Sequence, residues 1–127
     1  MRILLVGAGG VGSALARIAA RRPFAELVIA DYDLARAQRA AAARDGYEAV
    51  QLDARDERAT ADLLAQRGCD VLMNATGPRF VMPLFPAVLS VGVHYPDTPM
   101  SLNFFEISRL RHSARPARTS LVTVFQR

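Results

Sequence analysis

The 127-residue sequence contains no lysine and a single cysteine, Cys69. Without lysine, two kinds of nucleotide chemistry are excluded: the ATP-type phosphate loop, which needs a lysine at the phosphates, and the short-chain dehydrogenase mechanism, which needs a tyrosine–lysine pair. A single cysteine excludes an internal disulfide and a cysteine-rich metal site, so no metal is expected. We interpret Cys69 as a small buried residue ahead of a strand.

Long apolar runs are also missing. No run approaches the roughly 20 residues that a membrane helix needs, and the apolar start before the first glycine is too short for a secretory leader. We therefore expect a cytoplasmic protein with no membrane partner. The apolar content of 51% with 22% charged residues predicts a folded domain with a real core rather than disorder.

Acidic residues are absent from the end of the chain. Residues 1–106 hold eleven arginines and all twelve acids, a net charge of −1, whereas residues 107–127 hold five arginines and no acid, a net charge of +5. The sequence pI of about 10.2 is therefore a property of the tail. Because the body has no basic face interleaved with aromatics, we predict no nucleic-acid partner.

The chain opens with an apolar strand that runs straight into a glycine-rich turn. Residues 3–12 read I-L-L-V-G-A-G-G-V-G, a helical Ala/Leu/Ile pattern follows, and a second apolar strand ends at Asp31, nineteen residues past Gly12. Strand, G-x-G-x-x-G, helix and distal acid in this order predict a dinucleotide-binding site. The alternative is a tight turn without a ligand, with Asp31 capping the next helix.

Each glycine of the motif is expected to meet a different physical demand. Gly7 allows a sharp turn out of the strand, Gly9 lets the backbone approach the pyrophosphate, and Gly12 lets the helix pack closely on the sheet. The first N–H groups of that helix, at the positive end of its dipole, would face the phosphates. Asp31 would accept hydrogen bonds from the adenosine ribose.

Strand and helix signals alternate with short connections. Strands are predicted at about 2–6, 26–30, 48–52, 70–74 and 93–95, and helices at about 10–21, 34–44, 57–66 and 83–90. This alternation indicates an α/β fold, a doubly wound parallel sheet (Rossmann fold) of five to six strands with helices on both faces. We assign residues 1–99 to this domain. Residues 100–127 form a basic tail, either a sixth βα unit with its strand at 120–125 or a partly disordered end.

Four polar residues fall at or just past predicted strand ends: Asp31, Asp53, Asn74 and Asp97. Ligands of doubly wound sheets bind at these carboxyl ends, so the four are candidate site residues. Two of them have structural alternatives, since Asp53 could cap the following helix and Asn74 could form a turn. We interpret His94, alone in a short strand, as a packing residue.

Five segments together resemble the N-terminal nicotinamide-dinucleotide domain of saccharopine dehydrogenase-like oxidoreductases, over about residues 1–99. They are residues 3–12, 30–31, 52–54, 74–78 (N-A-T-G-P) and 92–98 (G-V-H-Y-P-D-T). The glycine motif is shared with many Rossmann proteins, whereas the last two segments are more specific. The resemblance implies a Rossmann fold and an NAD or NADP cofactor.

The resemblance implies four sets of site residues. The pyrophosphate set is Gly7, Gly9, Gly10, Val11 and Gly12. The adenosine set is Asp31 at the ribose, with Asp53 and Ala54 beside the adenine. The nicotinamide set is Asn74, Ala75, Thr76 and Gly77. The substrate-side pair is Asp97 and Thr98.

The choice between NAD and NADP depends on the residues around the ribose. Asp31 favours a free 2′-hydroxyl and would repel a 2′-phosphate, which favours NAD. The next residue, Tyr32, is not the arginine that would bind a phosphate. Arg36 and Arg39, one and two turns along the next helix, are the candidates for reaching it.

The resemblance also implies an activity, hydride transfer at an amino-acid C–N bond, with an amino-acid-type substrate. Enzymes of this family are about three times longer, and a second domain supplies most of their substrate pocket. We therefore expect this chain to lack the catalytic domain, and no catalytic residue is assigned. Two alternatives stay open, a stand-alone nucleotide-sensing module and an inactive truncated fragment. The assembly is also open, with a homodimer among the alternatives.

Overall fold

The computed structural model describes residues 1–97 and 121–123, and within them strands and helices alternate. The strands are β1 (Arg2–Val6), β2 (Glu26–Asp31), β3 (Glu48–Gln51), β4 (Val71–Asn74), β5 (Tyr95–Asp97) and β6 (Leu121–Thr123). The helices are α1 (Gly10–Ala19), α2 (Leu34–Ala41), α3 (Glu57–Gln66) and α4 (Val81–Val91), with a short 3-10 helix at Pro78–Phe80 ahead of α4.

All six strands pair in parallel in one sheet of order β3-β2-β1-β4-β5-β6. The order reverses between β1 and β4, and this is the topological switch point where doubly wound sheets bind ligands. The register aligns Val6 with Ala30 on one side and with Asn74 on the other. The carboxyl ends of the central strands therefore meet at one edge, as the α/β Rossmann prediction requires.

Successive residues of β1 point to opposite faces of the sheet, and both faces are covered. Leu4 and Val6 belong to the core cluster that packs against α3 and α4, whereas Ile3 and Leu5 belong to the cluster that packs against α1 and α2. Burial on both faces explains why the strand is apolar throughout instead of alternating.

Polar caps and glycine conformation place the ends of the helices. Asp33 begins α2 by accepting from the Ala35 N–H, and Asp56 begins α3 by accepting from the Ala59 N–H. Asp56 and not Asp53 is therefore the cap of α3, and the capping alternative for Asp53 is wrong. Gly92 ends α4 with φ +79°, a left-handed conformation that glycine adopts without strain.

Several predicted boundaries were wrong; α1, for example, ends at Ala19 instead of near residue 21. Three others have a clear physical reason. Helix α2 ends at Ala41 instead of near residue 44, because the following turn tightens: Ala43 and Arg44 donate three residues back. Helix α4 begins before Pro83, since a proline in the first helical turn gives up an N–H that has no intrahelical partner. Strand β5 begins at Tyr95 instead of near residue 93, because His94 makes only an isolated bridge to Val71.

Strand β6 runs beside β5, with Tyr95 opposite Leu121, which gives the sheet the sixth strand of the predicted range. Thr98 and the remaining tail residues lie outside the described residues, and the division of the chain near residue 99 stays a prediction. In the described ranges, no helix has the length and apolar character needed to cross a membrane.

Candidate functional site

A cleft of about 740 Å³ opens at the carboxyl edge of the sheet, next to the switch point. Residues following β1, β2, β3 and β4 all contribute to its wall. This volume lies within the range of about 300–1,000 Å³ typical of small-molecule sites. The cleft is therefore the candidate binding site for a small molecule.

Two glycines of the motif are required by the fold itself. A Cβ on Gly12 would lie 1.8 Å from the carbonyl oxygen of Gly7, and a Cβ on Gly7 would lie 2.9 Å from the backbone of Ala75. Gly7 also has φ +99°, which disfavours any other residue. These contacts bring the turn after β1 directly against the turn after β4.

The other two glycines face open space. Neither Gly9 nor Gly10 would bring a Cβ within 4 Å of another atom, and Gly9 lines the cleft. The space that a side chain would fill is therefore free for a ligand to approach the backbone. This is the fit that a pyrophosphate requires at this turn.

Helix α1 directs its N-terminus toward this open turn. Its first intrahelical hydrogen bond runs from the Ser13 N–H to the Gly9 carbonyl at 2.9 Å, so the N–H groups before Ser13 have no intrahelical partner. No acidic residue lies in the first turn and no side chain caps it. The helix dipole then makes the turn a favourable position for an anion.

Asp31 is buried at the end of β2, and both of its carboxylate oxygens are engaged. Oδ2 accepts from the Ala8 N–H at 2.8 Å and Oδ1 accepts from the Asp33 N–H at 2.8 Å. The side chain therefore links the glycine turn to the β2–α2 connection. It still lines the cleft, and a carboxylate has about four acceptor positions, which leaves capacity for a ribose hydroxyl.

Asp53 is held in a different way at the end of β3. Its carboxylate accepts from the Arg55 Nε at 3.0 Å and from Nη2 at 2.8 Å, as well as from the Arg55 backbone N–H at 2.9 Å. The side-chain hydrogen bonds from Arg55 lower the pKa of Asp53 from 3.8 to about 2. The pair is exposed and lines the cleft together with Ala54.

Asn74 is fully buried at the end of β4 and organises the turn that follows. Its Oδ1 accepts from the Thr76 N–H at 2.9 Å and from the Thr76 hydroxyl at 2.5 Å. Its Nδ2 donates to the Tyr95 hydroxyl at 3.1 Å. Asn74 is thus a turn former, the structural alternative considered for it, and it presents Thr76 to the cleft instead of lining the cleft itself.

Members of three of the four predicted sets lie on the cleft wall. From the pyrophosphate set these are Gly7 and Gly9, and from the nicotinamide set Ala75 and Thr76, whereas all three residues of the adenosine set line the cleft. The other members of the pyrophosphate and nicotinamide sets are not part of the wall; they are Gly10, Val11, Gly12, Asn74 and Gly77. Asp97 is paired with Asn74 through the backbone of β5, and Thr98 lies outside the described residues.

Sequence reasoning missed several residues of the wall, namely Arg55, Arg79, Phe80 and Pro83, and it considered Tyr32 and Arg36 only for cofactor choice. Except for Pro83, which lies inside α4, they follow a strand end by a few residues, and this position was the signal that could have identified them. Arg39 is not part of the wall.

The described part of the chain holds neither a reactive cysteine nor a cluster of metal-ligating side chains. Burial raises the pKa of the Cys69 thiol to about 11, so it stays protonated at neutral pH and is not a reactive thiolate. Cys69 is buried, as predicted. Within residues 1–97 and 121–123, no group of three or more His, Cys, Asp or Glu side chains could hold a metal ion.

The comparison with protein families matches residues 3–123 to the one described as the saccharopine dehydrogenase NADP binding domain. No curated protein matches the chain. Among solved structures, apo saccharopine dehydrogenase (L-Glu forming) from Saccharomyces cerevisiae has a TM-score of 0.82 at 21% identity, over 96% of this chain and 26% of that one. The chain thus spans about a quarter of the yeast protein.

Two further solved structures share the fold. An NAD binding oxidoreductase from Klebsiella pneumoniae has a TM-score of 0.71 at 25% identity, over 98% of this chain and 34% of that one. Quinate dehydrogenase from Corynebacterium glutamicum in complex with NAD has a TM-score of 0.59 at 26% identity, over 94% of this chain and 43% of that one.

Proposed function

This chain belongs to the family of saccharopine dehydrogenase NADP binding domains, and from that membership we propose how its cleft holds the cofactor. It is an NAD(P)-binding domain, and the bound nicotinamide supplies hydride transfer. The pyrophosphate lies over Gly9 and the N-terminus of α1, the adenosine lies toward Asp31 and Asp53, and the nicotinamide lies toward Thr76.

The observation that carries this arrangement is the division among the glycines. Gly7 and Gly12 are closed in by backbone atoms, whereas Gly9 opens into the cleft with nothing within 4 Å of its Cβ position. Packing therefore explains Gly7 and Gly12 but not Gly9. A ligand group that must approach the backbone explains Gly9.

The test replaces Gly9 by valine. Because the Cβ position is open and φ is −74°, the variant should fold like the wild type, while the side chain occupies the place of the pyrophosphate and abolishes binding. Binding is measured by titrating NADH and NADPH and following nicotinamide fluorescence, which no tryptophan of this chain disturbs.

The matched control is Ala65→Val, which puts the same side chain on an exposed position of α3. It should bind the dinucleotide like the wild type. Wild-type protein that is folded yet binds neither NADH nor NADPH would contradict the proposed function. A Gly9→Val variant that retains wild-type affinity would contradict the placement of the pyrophosphate.

For the finer cofactor choice, we propose that NAD is preferred over NADP. In the proposed arrangement Asp31 lies beside the ribose, where its carboxylate accepts from two backbone N–H groups, and a 2′-phosphate there would be repelled by the acidic side chain. Of the two arginines considered for binding a 2′-phosphate, Arg36 lies on the wall and Arg39 does not. Arg36 is already paired with Asp33 at 3.5 Å. A lower Kd for NADPH than for NADH would overturn this preference.

For the whole protein, we propose the activity that the family resemblance implies, hydride transfer at an amino-acid C–N bond. The cofactor site described above supports the redox part of this proposal, and the assignment of an amino-acid-type substrate rests on the resemblance alone. Turnover of saccharopine-like substrates by the purified chain, with NADH or NADPH, tests whether these residues suffice. An inactive chain that binds NADH tightly would identify a cofactor domain that needs a partner domain for catalysis.

A further inference from the structure

Three arginines lie on the described wall of the cleft, and two of them are neutralised by a carboxylate. Arg36 is paired with Asp33, Nε to Oδ2 at 3.5 Å, and Arg55 is paired with Asp53, Nη2 to Oδ2 at 2.8 Å. Arg79 differs from both, because no carboxylate of residues 1–96 comes within ion-pair distance of it. It is therefore the uncompensated cation of this part of the wall.

The position of Arg79 is defined by its neighbours. It lies in the short 3-10 helix that Pro78 begins, and its guanidinium carbon is 4.9 Å from the ring centroid of Phe80. Phe80 is itself half-buried against the core beneath α3 and α4. Stacking on this ring restrains the guanidinium while its N–H groups stay available to a ligand.

The surroundings of Arg79 leave room for a ligand group. Thr76, fixed by Asn74, lies on the same wall, and a Cβ on Gly77 would meet nothing within 4 Å. This end of the cleft follows β4, whereas the pyrophosphate position follows β1. The cation of Arg79 and the side chain of Thr76 thus lie on the same wall, away from the proposed adenosine position.

We propose that Arg79 is an oxyanion-binding residue, which takes a carboxylate or phosphate group of a ligand in the cleft through two parallel N–H donors. The group has two candidate sources, the carboxylate of a second small molecule or the pyrophosphate of the dinucleotide. The proposal rests on the proposed function in one respect, since the dinucleotide occupies the rest of the cleft.

The experiment compares wild type, Arg79→Gln and Arg79→Lys in two titrations at fixed ionic strength. The first measures the Kd of NADH, and the second measures the Kd of succinate, a dicarboxylate probe, on the free and the NADH-loaded chain. Arg79→Gln should weaken one of the two ligands by about tenfold or more, and Arg79→Lys should weaken it less, since lysine keeps the charge but loses the planar pair of donors. Arg58→Gln removes an exposed arginine of α3 from outside the cleft and should change neither Kd.

The outcomes separate the sources. Weakening of succinate alone assigns Arg79 to a second ligand, and weakening of NADH assigns it to the pyrophosphate. If Arg79→Gln changes neither Kd, or if Arg58→Gln has the same effect, the proposal is overturned. Wild type that binds succinate through Arg79 but binds no NADH would refute the proposed function and leave the oxyanion site standing.

Discussion

The turns after β1 and β3 reach the same cleft but are built in opposite ways. The turn after β1 is held by backbone contacts and by the buried carboxylate of Asp31, which accepts from the Ala8 N–H. The turn after β3 is held by the exposed ion pair of Asp53 and Arg55. In the first turn, replacement of Gly7, Gly12 or Asp31 carries a cost to the fold, whereas the side chains that hold the second turn are exposed to solvent.

This difference separates two kinds of site residue. In the first turn, residues such as Gly12 and Asp31 support the fold and the ligand position together, so a loss of binding on mutation has two explanations. In the second turn, Asp53 contributes little to the fold because exposed ion pairs are weak. A loss of binding there reports on the ligand alone.

The largest expected effect is that of Gly12→Ala. The new Cβ would lie 1.8 Å from the Gly7 carbonyl oxygen, so the backbone of the turn has to move, and we expect a loss of about 3 kcal/mol or more in the free energy of unfolding. Urea denaturation measures it. Gly10→Ala is the control, since nothing lies within 4 Å of its Cβ position, and equal stability of the two variants would refute the packing role of Gly12.

The next largest effect is expected for Asp31→Ala. The substitution leaves the N–H groups of Ala8 and Asp33 without their acceptor, and each unsatisfied buried donor costs about 1–3 kcal/mol. We expect the free energy of unfolding to fall by about 2–4 kcal/mol and dinucleotide affinity to fall with it. Wild-type stability in this variant would show that Asp31 serves the ligand only.

Much of the first turn could be predicted from the sequence. An uninterrupted apolar strand, three spaced glycines and a distal acid are local sequence signals for this turn. The positive φ of Gly7 is the conformation that the predicted sharp turn requires. The family resemblance of the residue 74–78 and 92–98 segments is likewise confirmed by the match over residues 3–123. Both backbone partners of Asp31, the N–H groups of Ala8 and Asp33, were missed, because an acid at a strand end gives no sign of which N–H it will accept from.

The rest depends on contacts between distant residues and on a short helical turn that the predicted elements did not include. Asn74 meets the Tyr95 hydroxyl only because β5 lies beside β4, with a start two residues later than predicted. Arg79 reaches the cleft because a 3-10 turn precedes α4 and Phe80 supports its side chain. The shift of a short strand has no local sequence signal, whereas the position of Arg79 soon after the end of β4 was a signal that could have identified it.

A smaller effect on stability is expected for Asp53→Ala. Since the side chain is exposed and its partner Arg55 is also exposed, the urea midpoint should match that of the wild type. The NADH affinity should fall several-fold if Asp53 lies beside the adenine as proposed. Unchanged NADH affinity would place the adenine elsewhere on the wall.

The smallest effect expected is the pH dependence of the Asp53–Arg55 pair. Arg55 lowers the pKa of Asp53 from 3.8 to about 2, so the contribution of this pair to stability is complete above about pH 4 and is lost as the pH falls through about 2. A carboxyl-detected NMR titration of the chain should give this midpoint for Asp53. Arg55→Gln should return the midpoint toward 3.8, whereas Arg36→Gln, which removes a cleft arginine paired with Asp33 instead, should leave it near 2. If the Asp53 midpoint is the same in Arg55→Gln as in the wild type, the ion pair does not hold this turn in solution. The contrast with the buried turn after β1 would then rest on burial alone.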